Sequence, residues 1–204
     1  MHQPDQERRR RNRAFFYAYI ALLLTSMLPP GMSVRAAAGQ LISVENFGQV
    51  NPNYYRGAQP SAAGLIELQR LGVKTVIDLQ EDGDRREPAW VRNAGLQYFN
   101  IPLSSTRPAT DEQTKHFLDL VNDPQNWPVF VHCAGGRHRT GEMTAIYRIT
   151  RDSWTADQAY REMKQYDYYS VGGHGPLKDY VFEFYNKYLS AKSAAKSSVS
   201  DHAK

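Results

Sequence analysis

Val129-Phe130-Val131-His132-Cys133-Ala134-Gly135-Gly136-Arg137-His138-Arg139-Thr140-Gly141 is an apolar run that breaks into a glycine-containing loop and then into a helical pattern. Residues 128–131 read as a short buried strand, while Met143, Ile146, Tyr147 and Thr150 fall at helical spacing over 140–151. The loop between them holds the chain's one cysteine, Cys133. A loop entering a helix N-terminus presents unpaired backbone N–H groups and the positive end of the helix dipole, so it favours an anion. Gly135 and Gly136 let the backbone wrap closely around such an anion. In that field a cysteine is stabilised as thiolate, its nucleophilic form.

The same loop supplies the remaining chemistry. Arg139 curls back with a planar fork of donors that matches two oxygens of a phosphoryl group. Thr140 places a hydroxyl beside the sulfur, and Ala134, Gly135, Gly136, Arg137 and His138 line the cradle with Arg139. Nucleophile, anion cradle and bidentate clamp together are what covalent phosphoryl transfer through sulfur needs. An inert buried cysteine before a helix would not require His, Gly, Arg and Thr at these offsets.

This stretch resembles the signature of the cysteine-dependent protein phosphatases, His-Cys-x5-Arg-Ser/Thr, with His132, Cys133, Gly136, Arg139 and Thr140 on its positions. Its continuation, Arg137-His138-Arg139-Thr140-Gly141, is most similar to the plant-and-fungi-type atypical dual-specificity phosphatases and their bacterial relatives, whose loop commonly reads Gly-Lys-His-Arg-Thr-Gly. The resemblance implies a phosphocysteine intermediate, His132 in support of the loop, and no metal or cofactor. A sulfurtransferase of rhodanese type is the nearest competitor, but its loop has fewer intervening residues and lacks the Arg-Thr ending. A catalytically dead phosphate-binding module is a further alternative, disfavoured by the presence of both Cys133 and Arg139.

Outward from the loop, the elements alternate. Tyr54-Tyr55-Arg56-Gly57-Ala58-Gln59-Pro60-Ser61 reads as a strand and a turn, with Ser61 capping a helix whose apolar side is expected to carry Leu65, Ile66, Leu68 and Leu71 and which stops at Gly72. The segment Tyr-Arg-Gly-x-Gln-Pro resembles the opening of many bacterial phosphatases of this kind. Residues 74–79 form the next strand, 88–94 a short helix and 96–101 another strand. Thr110 caps a helix over 111–122, Thr155 with Gln158 opens a second in capping-box fashion, and Leu177, Tyr180, Val181 and Phe184 mark a last one. This βαβ rhythm predicts an α/β single domain over 39–190, with a central, mostly parallel sheet of about four to five strands flanked by helices. Residues 39–53 read as irregular, and 191–204 as a disordered tail.

The first 38 residues have a different character. Arg8, Arg9, Arg10, Arg11 and Arg13 precede an apolar run over 14–28, followed by Ala36-Ala37-Ala38, the pattern of a secretory signal peptide ending at Ala38. An uncleaved N-terminal anchor is the other reading, although the run is shorter than the roughly 20 residues of a spanning helix. Either way the catalytic part is expected outside the cytoplasm, periplasmic or secreted, with membrane contact only if 14–28 stay attached.

The 204-residue chain has 25 Lys and Arg, 21 Asp and Glu, and a net charge of +4. Six of the arginines and two of the acidic residues lie in 1–38, which leaves nineteen of each sign. The basic excess is therefore a targeting feature and gives no support to nucleic-acid binding. A monomer is expected.

One role is less well supplied. Dual-specificity phosphatases carry an aspartate acid on the loop after the preceding strand, but here that region reads Ile101-Pro102-Leu103-Ser104-Ser105-Thr106-Arg107. Asp111 is the first carboxylate beyond it and is the candidate general acid, with Asp82 and Asp84 in reserve. For substrate, Arg137 and His138 add positive charge, whereas Ala134 and Gly135 stand where inositol pyrophosphate phosphatases of the atypical family often have basic residues. Phosphotyrosine or another phosphomonoester is the first expectation, an inositol polyphosphate the second.

Overall fold

The structure, a computed structural model, describes the backbone of residues 42–201 and side chains through residue 195. The expected signal or anchor segment, 1–38, lies outside the described residues.

Among the described residues five strands form one sheet: β1 (Gly48–Asn51), β2 (Tyr54–Ala58), β3 (Thr75–Gln80), β4 (Gln97–Leu103) and β5 (Val129–Cys133), in the order β1-β2-β5-β3-β4. The β1–β2 pair is antiparallel and every other pair is parallel. Among the described residues six α-helices accompany them: α1 (Ala62–Leu71), α2 (Glu87–Asn93), α3 (Asp111–Asn122), α4 (His138–Arg151), α5 (Ala156–Gln165) and α6 (Gly175–Asp201). This is the α/β architecture expected from the alternating pattern.

β5 is central, and its side chains divide the core. Val129 and Val131 join Ile77, Leu79, Phe117, Met143 and Ile146 on the face covered by α3 and α4. Phe130 points to the other face, among Leu65, Leu68, Val76 and Val91 beneath α1 and α2. Burying each aliphatic side chain contributes about 1.5–3 kcal/mol, so the alternation pins the register of β5 and with it the position of Cys133. A third cluster, including Ala145, Ile149, Met163, Leu177 and Val181, packs α5 and α6 onto the outer side of α4.

The local signals hold. Ser61 accepts from Gly64 N at 3.1 Å, Gly72 ends α1 in the left-handed region, and Thr110 and Thr155 form capping boxes with Gln113 and Gln158. Two expectations are corrected. The stretch read as irregular contains β1, an edge strand whose single apolar residue, Val50, is too little for a period-two pattern. The tail from residue 191 is helical through Asp201, because α6 is nucleated by the packed residues Leu177 and Val181 and extension costs far less than nucleation. Although α6 is long, no helix among the described residues is apolar enough to cross a membrane.

Candidate active site

All parallel strands end on one edge of the sheet. In register, Cys133 of β5 stands beside Ala58 of β2, His132 beside Asp78 of β3, and Gln80 of β3 beside Leu103 of β4. The loops after β2, β3, β4 and β5 therefore converge at the carboxyl end, where open α/β sheets bind ligands.

Cys133 is 3% exposed at the tip of β5. Gly136, at φ +65°, turns the loop back toward β2, and Arg56 Nη2 donates to its carbonyl at 2.9 Å. Asn46 Nδ2 reaches the carbonyls of Gly135 and Gly136, each at 3.2 Å, and that of Tyr166 at 3.0 Å. These contacts occupy the loop's carbonyls with side chains of other elements, and a run of N–H groups freed from competing carbonyls is what an anion nest requires. Arg56 is fully buried, and burial pulls its pKa down. Its guanidinium stacks 3.8 Å from the Tyr166 ring centre, a compensation for lost water. No side chain caps the start of α4, so none takes up its first N–H groups, the donors that an anion at a helix start would meet.

Arg139 is 4% exposed, and its Nη1 donates to Asp82 Oδ1 at 2.7 Å and to the Leu103 carbonyl at 3.3 Å. Thr140 is buried, with no hydrogen-bond partner for Oγ1 among the described residues. Behind the loop, His132 Nε2 lies 2.9 Å from Glu87 Oε1, within ion-pair range but off the line of a hydrogen bond, and Nδ1 lies 4.0 Å from Asp78 Oδ1. Gln59 Nε2 donates to Glu87 Oε2 at 3.1 Å, and the Tyr98 hydroxyl donates to Asp78 Oδ2 at 2.9 Å. By residue type Asp78, Glu87 and His132 could share a cation. Their engagement with Gln59, Tyr98 and the Gln80 N–H makes them a buried polar network that holds the end of β5.

Residues 41–174 match a family model described as a DSP-PTPase phosphatase fused to NAD+ kinase. The chain belongs to this dual-specificity phosphatase family. It is 34% identical over 134 residues to the dual specificity protein phosphatase TpbA of Pseudomonas aeruginosa, covering 66% of this chain and 57% of that relative. A crystal structure of TpbA superposes with a TM-score of 0.59 at 30% identity, over 67% of this chain and 83% of that one. The inositol diphosphatase SIW14 of Saccharomyces cerevisiae is 24% identical over 133 residues, 62% of this chain and 47% of the relative. The core catalytic domain of that enzyme, solved with citrate, shares the fold with a TM-score of 0.62 at 18% identity, over 76% of this chain and 94% of that one.

The predicted site residues 132–140 run through the end of β5, the turn after it and the start of α4. Asp111 stands exposed at the first position of α3, and the carboxylate bonded to Arg139 is that of Asp82. His138 turns from the loop to stack on His174 at 3.6 Å between ring centres, with Tyr169 edge-on at 4.3 Å. Burial, then the neighbouring His174, push its pKa down to about 4, so the ring is neutral at physiological pH. The positive charge expected from His138 is thereby corrected. His174 in turn donates through Nδ1 to the Ser105 carbonyl at 2.7 Å, joining the α5–α6 connection to the loop after β4.

Four contributors were not legible as such: Asn46, in a stretch read as irregular; Arg56, read as a corner residue; His174; and Glu142. Glu142 had a signal, a carboxylate one turn past Arg139 on the face that carries Met143 and Ile146. It is fully buried; Oε1 accepts from Ala109 N at 3.0 Å and Oε2 has no partner among the described residues. Burial raises its pKa from 4.5 to about 8. A neutral carboxyl thus tethers the loop that leads into α3.

Because the folded-state value is the higher one, this group's contribution to stability is complete below pH 4.5, declines as pH rises and is gone above about 8. Glu142→Gln, which keeps the acceptor for Ala109, is expected to flatten the decline in urea midpoint between pH 5 and 8. An unchanged slope in the variant would assign the pH dependence elsewhere.

Proposed function

We propose that the protein is an exported phosphatase that hydrolyses phosphomonoesters, phosphotyrosine first among them, through a phosphocysteine intermediate. The observation that carries this reading is the placement of Cys133 at the base of a loop whose carbonyls are tied back by Arg56 and Asn46, with Arg139 at its mouth. The Cys133 sulfur forms a bond to phosphorus as the ester P–O bond breaks, and the departing oxygen takes a proton. Arg139 and the loop N–H groups hold the non-bridging oxygens through the change. Water then attacks phosphorus, the S–P bond breaks, and phosphate leaves with the thiolate restored. Export rests on the basic, apolar and Ala-Ala-Ala pattern of 1–38 and is tested by N-terminal sequencing of the protein recovered outside the cytoplasm.

The second reading, an inositol polyphosphate or pyrophosphate phosphatase, is favoured by the likeness to SIW14, named an inositol diphosphatase. Against it, the loop offers little charge for a ligand carrying many phosphates, since Ala134 and Gly135 are uncharged and His138 is neutral. Phosphate release from phosphotyrosine peptides and from inositol polyphosphates, measured with chelator and no added metal, separates the two. The expected result is faster turnover of phosphotyrosine by tenfold or more, on the order of 1.4 kcal/mol of discrimination. The reverse order would establish the second reading.

A further inference from the structure

The loop on which dual-specificity phosphatases carry their acid runs here from Ser104 to Thr110 and contains no carboxylate. On the phosphatase reading above, we infer that Asp82, on the loop after β3, is the catalytic acid that protonates the leaving oxygen. Its Oδ1 lies 2.7 Å from Nη1 of Arg139, the residue that would grip the phosphoryl group. The two partners differ in freedom: the Arg139 side chain is 5% exposed and that of Asp82 is 66% exposed. When a phosphate dianion takes the Arg139 donors, the carboxylate is the partner able to swing, and it remains at the mouth where the ester oxygen departs.

The charged surroundings fit this exchange. Arg139 faces Asp82 from α4; Glu81, its neighbour, lies 3.9 Å from Arg107 on the loop after β4, and Asp84 pairs with Arg86 at 2.6 Å. The loop's other carboxylates thus have arginine partners of their own. The Arg139 hydrogen bond holds the Asp82 carboxyl below its ordinary range. An arriving dianion removes that stabilisation and favours uptake of a proton from solvent. The Asp82 proton then passes to the ester oxygen as the S–P bond forms and the P–O bond breaks. The resulting carboxylate accepts a proton from the water that hydrolyses the intermediate.

The test is Asp82→Asn assayed against aryl phosphates of graded leaving ability, with pH profiles of kcat/KM. Phenyl phosphate is expected to lose roughly 10²- to 10⁴-fold, the usual range for general acid catalysis, with the basic limb of the profile absent. Dinitrophenyl phosphate, whose leaving group needs no proton, is expected to change by only a few-fold. An equal loss across the series, or a basic limb kept in the variant, would show that Asp82 only positions Arg139. The same signature in Asp111→Asn and not in Asp82→Asn would also overturn the assignment. Wild-type protein that releases no phosphate from dinitrophenyl phosphate would overturn the phosphatase reading itself, a result distinct from either.

Discussion

Cys133→Ser is expected to lower phosphate release from phosphotyrosine peptides on the order of 10³-fold or more, as removal of a catalytic nucleophile does, while phosphopeptide binding persists. The substitution is nearly isosteric at a site that is 3% exposed, so the loop has no cause to move. What changes is the nucleophile, because a serine hydroxyl stays protonated where a thiol ionises. The N–H groups of 134–139 and the Arg139 fork are untouched and continue to hold the phosphate. Stopped-assay turnover and calorimetric binding, measured on the same preparation, check both halves. Retained turnover would sink the covalent mechanism, and a wild-type protein that binds without hydrolysing would leave a phosphate-binding module.

The second large effect is expected from Gly136→Ala. At φ +65° an alanine incurs about 1–2 kcal/mol from backbone conformation alone. A Cβ there would also lie 2.4 Å from Gly57 C, 2.5 Å from Gly57 O and 2.7 Å from Ala58 N. These are backbone atoms of β2, so the whole turn must shift rather than one flexible side chain. The shift breaks the Arg56 and Asn46 contacts that orient the loop carbonyls, and displacements near 1 Å in such a site can cost about 10²-fold in rate. Turnover is expected to fall by at least that factor, with a lowered thermal midpoint. Gly135→Ala is the comparison, since its Cβ would meet nothing nearer than Arg137 Cδ at 3.7 Å. Equal losses in the two variants would refute the argument from close approach.

Much of the architecture was readable because it rests on short-range patterns. The apolar run 129–131, the caps Ser61, Thr110 and Thr155, and the stop at Gly72 each act within a few residues of chain, so each appears as a local spacing. β1 was missed because its pairing with β2, not its own composition, makes it a strand. Arg56 and Asn46 are similar cases. Each is separated by about eighty or ninety residues from the loop it braces, and nothing near either one announces a partner.

By itself the sequence brought together the residues proposed as nucleophile, clamp and cradle, because Cys133 to Thr140 are contiguous in one strand-loop-helix unit. Only the tertiary structure decided the surroundings of that unit. Asp82 meets Arg139 across 57 residues, Glu142 meets the N–H of Ala109 across 33, and His138 meets neutralising burial against His174. Hydrogen-bond geometry and burial act through space, so the charge and proton chemistry around the loop depend on which strand ends the sheet brings to one edge.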